Sequence, residues 1–158
     1  MVMMTSCNNV SINYNHKIVV NGVFNKQEIK SIQVPEKALL SGYLTIYGNE
    51  CTENSDKIKC QILEALEIED ECNENHQLFL KKWFKNDVIK SLKLKNCPNL
   101  PYKSAIQNKI KKIEISRNKD TMQIVFRVIG MNTSQEKNWD IEQTERFLIT
   151  DESFYKLD

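Results

Sequence analysis

Apolar and polar residues alternate from the start of the chain, and the period of alternation changes three times. Val10-Ser-Ile-Asn-Tyr-Asn alternates strictly, the mark of a strand with one buried face, and a second strand is expected over Lys17 to Val23. From Asn25 to Lys37 no period dominates, and Pro35 is expected to end whatever precedes it. Ala38 to Tyr47 fits helix or strand, and the β-formers Tyr43, Thr45 and Tyr47 favour strand. Helical spacing then takes over: Ser55 is placed to cap a helix whose apolar positions Ile58, Ile62, Leu63 and Leu66 recur up to Ile68. After the polar connector Glu69-Asp70-Glu71-Cys72, a second helix starts near Asn73 and gathers Leu78, Leu80, Trp83 and Phe84 towards one side.

The period shifts back towards strand, weakly over Val88 to Leu94 and strongly after the Cys97-Pro98-Asn99-Leu100-Pro101 loop. Ile110, Ile113 and Ile115 open one strand, Asn118-Lys119-Asp120 makes a turn, and Met122, Ile124, Phe126 and Val128 return in a second. Val125 and Ile129 on its other face suggest a central strand covered on both sides. A third strand places Trp139, Ile141, Phe147 and Ile149 opposite Asp140, Glu142, Thr144 and Arg146, and Phe154 and Tyr155 offer a short last strand after an Asp151-Glu152 turn. The expected fold class is α+β: a helical hairpin packed on a curved antiparallel sheet that ends in a C-terminal β-meander. The order of elements resembles cystatin-like or NTF2-like domains in pattern, a style of fold that hosts enzymes, carriers and inhibitors alike. Residues 1–9 read as a tail or signal-peptide remnant and residues 10–158 as a single domain, a size at which one core suffices.

Cysteine usage sharpens the picture. Five cysteines stand at Cys7, Cys51, Cys60, Cys72 and Cys97. An even set of four inside a 47-residue window is what an exported, disulfide-bonded domain shows. Of three possible pairings we favour Cys51 with Cys60 and Cys72 with Cys97, because each links the approach to an expected helix with a nearby element. Two alternatives stand beside it: a metal site using Cys72 and His76, four residues apart, with other cysteines completing a tetrahedron, and buried reduced thiols in a cytosolic protein. Cys7 follows Met4-Thr5-Ser6, and this stretch resembles the cleavage site of a bacterial lipoprotein signal peptide over about seven residues. The family pattern wants Leu, Val or Ile where Met4 stands, and the basic and long apolar parts of a signal are missing. The resemblance implies lipid on Cys7, a membrane tether and a periplasmic or cell-envelope location.

Net charge is +1, but its distribution is uneven. Nine acids face two lysines from Glu50 to Glu74, a balance of −7, whereas Lys81 to Lys119 carries +10 and Glu136 to the end −4. Segregation of this kind steers a partner of complementary field. The charged rims Glu69, Asp70, Glu71, Lys109, Lys111 and Lys112 are therefore the expected contact residues.

Catalytic signals are thin. His16 and His76 are the only side chains that titrate near neutrality unperturbed, neither stands in a nucleophile motif, and no Walker loop, G-x-G-x-x-G, H-E-x-x-H or G-x-S-x-G occurs. The reading that emerges is a non-enzymatic, cofactor-free exported domain that binds another protein, an envelope inhibitor or a toxin-immunity protein. The alternative is a cytosolic nucleic-acid-binding module using the Lys81–Lys119 segment, although Tyr102 is the only aromatic beside those cations. A hydrolase with a pocket converging on His16 or His76 is a third reading.

Overall fold

The clearest alternation in the sequence builds the middle of the molecule. In the computed structural model, which describes residues 13–51, 57–98, 100–101 and 104–157, β3 (Ile106–Asn118), β4 (Thr121–Asn132) and β5 (Lys137–Thr150) form the expected meander. β6 (Ser153–Leu157) returns along β5, and β1 (Asn13–Val20) with the two-residue β2 (Val23–Phe24) completes an antiparallel sheet in the order β2-β1-β3-β4-β5-β6. One side of it carries the core: Ile113, Ile115, Met122, Ile124, Phe126 and Phe147 are fully or almost fully buried. The expected second strand is thus the end of β1 plus β2, joined by an Asn21-Gly22 turn in which both residues have positive φ. A register shift between Lys17 and Val19 lets both Ile18 and Val19 point into the core. Val10 to Ile12, Ser55 and Cys7 lie outside the described residues.

The helices are α1 (Lys26–Ile29), α2 (Val34–Tyr47), α3 (Lys57–Ala65), α4 (Glu74–Trp83) and α5 (Val88–Lys95). Helix α2 corrects the sequence reading twice. Ala38 to Tyr47 is helix rather than strand, and Pro35 opens the helix instead of ending a segment, standing in its first turn where no backbone N–H is needed. Glu36 caps the entry by accepting from the Gln33 N–H at 2.6 Å. The helix is buried on almost every side, from Ala38 to Thr45, so no amphipathic stripe betrays it in sequence. Its Gly42 is a point of close approach, because a Cβ there would stand 2.5 Å from the Phe84 ring. Tyr43 and Tyr47 stack towards Phe126, which seats α2 against β4.

Val88 to Lys95 is also helix, begun by Asp87, whose carboxylate accepts the Lys90 N–H at 3.0 Å. The expected hairpin of α3 with α4 is replaced by other pairings: α2, α4 and α5 pack on one another, and α3 packs against α1 and β2. Trp83 and Phe84 meet Phe154 at centroid distances of 5.0 and 5.1 Å, which places them in the core as expected and ties α4 to β6. Strand β4 is central, as expected, but no described helix covers its second face: Val125 and Ile129 are half-buried among Lys112, Glu114, Asp140 and Glu142 of neighbouring strands. The α+β class holds, with one helical layer on one face of an open sheet.

Candidate functional site

The connector between α3 and α4 is the most elaborately held segment of the chain. Helix α3 is closed by Glu67, which adopts a left-handed conformation at φ +60, with the Ile68 N–H returning to the Leu63 carbonyl at 2.9 Å. At the other end Cys72 is also left-handed, and Asn73 caps α4 by accepting the His76 N–H at 2.8 Å. Cys72 is cross-linked to Cys97 at the end of α5, with 5.9 Å between Cα atoms, and Cys51 to Cys60, with 5.6 Å. The favoured pairing is the observed one, and both bonds belong in an oxidising, extracytoplasmic environment. The tetrahedron of thiolates is displaced by these bonds.

Glu69, Asp70 and Glu71 separate in role. Glu71 turns inward, takes Lys59 Nζ at 3.0 Å and accepts from Thr45 Oγ1 at 3.0 Å, so it fastens the connector to α2 and α3. Burial lowers the Lys59 ammonium pKa, and the Glu71 charge works against that. Glu69 and Asp70 are exposed and line two adjoining hollows. The first, of about 940 Å³, is walled by the Cys51–Cys60 bond and six carboxylates: Glu50, Glu64, Glu67, Glu69, Asp70 and Glu71. The second, of about 410 Å³, shares Glu67, Ile68, Glu69 and Asp70, and adds the apolar Val34 and Phe79, together with Lys37 and His76.

His76 is 7 % exposed and sits in the wall of the smaller hollow. Its Nδ1 accepts the Cys72 N–H at 3.0 Å, so the neutral ring carries its proton on Nε2. That Nε2 is buried and has no hydrogen-bond partner among the described residues. Burial, then the charges of Lys59 and Lys37, hold the ring's pKa below its ordinary 6.5. The imidazole therefore has its Nδ1 occupied by the Cys72 N–H and its Nε2 enclosed in the wall. His16 is engaged elsewhere, its Nδ1 2.9 Å from Glu28 Oε2 where α1 meets β1.

The three lysines do not assemble. Lys109 and Lys112 lie on the open face of the sheet opposite Ile129 and Arg127, while Lys111 is the extra residue at a β3 bulge and runs beside Gly22. Lys109 and Lys112 are thus separated from the connector by the sheet, while Lys111 stands at the β1–β2 turn. Signs interleave on that open face: Arg127 holds Asp140 through two hydrogen bonds of 2.8 and 2.6 Å, and Asn15 donates to Glu114. Among the described residues the Lys81–Lys119 segment forms no continuous basic strip, since Lys90 and Arg117 are consumed internally, Arg117 by the fully buried Glu36 at 3.5 Å. Tyr102 and Lys103 lie outside the described residues.

A second polar cluster escaped sequence reading. Glu145 on β5 accepts from Tyr43 of α2 and from Lys90 Nζ of α5 at 2.6 Å, and Lys90 also meets Asp87 at 3.4 Å and lies over the Tyr43 and Phe147 rings. Burial pushes the Tyr43 hydroxyl pKa far up, with Glu145 reinforcing it, so the phenol stays protonated and donates. The only sequence hint was a lysine among the apolar residues of Val88 to Leu94. The network joins three elements and is filled by its own partners, which makes it an internal clamp. Comparison of the chain with protein-family models, with curated proteins and with solved structures gives no match.

Proposed function

We propose that this protein is an exported binding domain of the periplasm or cell envelope that neutralises a basic protein partner through the acidic connector groove, as an inhibitor or a toxin-immunity protein does. One observation carries the reading: six carboxylates, of which Glu71 is paired with Lys59, line a single groove walled by the Cys51–Cys60 disulfide. The carboxylates supply the field that draws a cationic surface. The Cys51–Cys60 bond and the Glu71 pair with Lys59 restrain the groove before binding, which lowers the ordering cost of association. Action by binding rather than catalysis is favoured because His76, beside the groove, has Nδ1 occupied by the Cys72 N–H and Nε2 enclosed. Lipid on Cys7 would hold the domain at a membrane.

A photo-crosslinking side chain at position 70, introduced in the native host, tests this. The expected product is one protein joined through a Lys- or Arg-rich segment, and the double variant Glu69→Lys, Asp70→Lys weakens that complex about 100-fold, as placing like charges at a steered interface does. Crosslinking to nucleic acid, or a complex indifferent to the double reversal, would overturn the reading.

A further inference from the structure

Helix α5 is built inside out. Three of its four apolar residues face solvent, Val88 at 70 %, Ile89 at 65 % and Leu92 at 61 % exposure, while Leu94 reaches the core and Lys90 is buried in its ion pairs with Glu145 and Asp87. At 100° per residue, Val88, Leu92 and Ile89 fall within one arc of about 100°, and Lys93 and Lys95 stand just beyond its two borders. Lys85 precedes the helix and is exposed as well. Single exposed apolar residues are ordinary on a protein surface, whereas three adjoining ones on two turns, more than half exposed, form a patch. No described element packs over it.

We infer that the outer face of α5 is a docking surface for an anionic lipid bilayer. The flanking lysines decide the occupant. An apolar stripe bordered on both sides by Lys, on a short helix held parallel to the protein surface, matches the interfacial region of a membrane, where the stripe enters the acyl boundary and the ammonium groups meet lipid phosphates. The helix is fixed in that pose: its inner side is clamped by the Lys90–Glu145 pair, and its end is tied through Cys97 to Cys72. Three side chains and three lysines give weak, reversible contact, enough to orient a domain near a membrane without anchoring it alone.

Cosedimentation of the oxidised protein with phosphatidylcholine vesicles, with and without phosphatidylglycerol, tests this. Partitioning to the anionic vesicles should fall with added salt and exceed that to phosphatidylcholine alone. The exposed triple variant Val88→Ser, Ile89→Ser, Leu92→Ser should lose it by about tenfold or more, and Lys93→Glu with Lys95→Glu by a similar factor. Leu92→Ser alone, a single solvent-facing change, should give a smaller loss in the same direction. Absence of partitioning, equal partitioning to neutral vesicles, or retention in the triple variant overturns the inference. So does a triple variant that keeps vesicle binding and loses a protein partner, which would make the patch a protein contact.

Discussion

Glu145 shows how one side chain makes the structure sensitive to acid. Burial by itself raises its carboxyl pKa, but the hydrogen bonds from Lys90 and Tyr43, with the charges of Lys90 and Lys156, outweigh that and hold it below the ordinary 4.5. A carboxylate held low in the folded state stabilises fully above 4.5, and this contribution is lost as pH falls from there through the folded value. Glu145→Gln should therefore cost about 2 kcal/mol at neutral pH and flatten the acid limb of the stability profile, as read by urea midpoints across that range. His76 acts in the same direction at higher pH. Its lowered pKa means that the unfolded chain takes up the proton first, so stability drops as pH falls below 6.5 through the folded value. The ring should remain neutral and Nε2-protonated at pH 6.5, a point that nitrogen chemical shifts decide directly. Neither effect was visible in sequence. Glu145 is one of many acids, and only the pairing of β5 against α2 and α5 reveals what it touches.

At the scale of elements, the chain was easiest to read where one face meets water. The strands β3, β4 and β5 and the helices α3 and α4 each have a wet side, and their periods, turns and the Asn73 cap lie open in the sequence. Helices α2 and α5 were hidden for opposite reasons. Helix α2 is wrapped by neighbours and has no polar face to set a period, while α5 buries a lysine and exposes Val88, Ile89 and Leu92, which makes its pattern point the wrong way. Gly42→Ala tests the tightness of α2 packing: the added methyl meets the Phe84 ring, and a loss of about 1–3 kcal/mol is expected despite better helix propensity. The disulfides separate these elements further. Cys72–Cys97 spans 25 residues and Cys51–Cys60 spans 9, so chain-entropy arithmetic gives about 3.5 and about 2.6 kcal/mol respectively. Replacing the first pair by serines should lower the thermal midpoint more than replacing the second, and should loosen the connector that carries Glu69 and Asp70.

For the whole molecule, the sequence was right that charge is segregated along the chain, but the fold does not carry that segregation through to space evenly. Six acids of the acidic run stay together because Glu50, the end of α3 and the connector line one groove, whereas the described part of the basic run is divided among α4, α5, the open sheet face and the interior. Glu69 and Asp70 were therefore legible as surface, and Lys109, Lys111 and Lys112 were not legible as separate, because only the β3 bulge and strand register divide them. Two surfaces of different chemistry result: an acidic groove walled by the Cys51–Cys60 disulfide and an apolar, lysine-bordered helix face. If they act independently, their variants should dissociate cleanly. Glu69→Lys with Asp70→Lys should abolish capture of the basic partner and leave partitioning to anionic vesicles no weaker, since it adds positive charge. The α5 triple serine variant should lose vesicles and keep the partner at unchanged affinity in detergent-free solution. Loss of both properties in either variant would instead mean that partner and membrane share one surface, and that the connector and α5, joined through Cys72 and Cys97, work as a single unit.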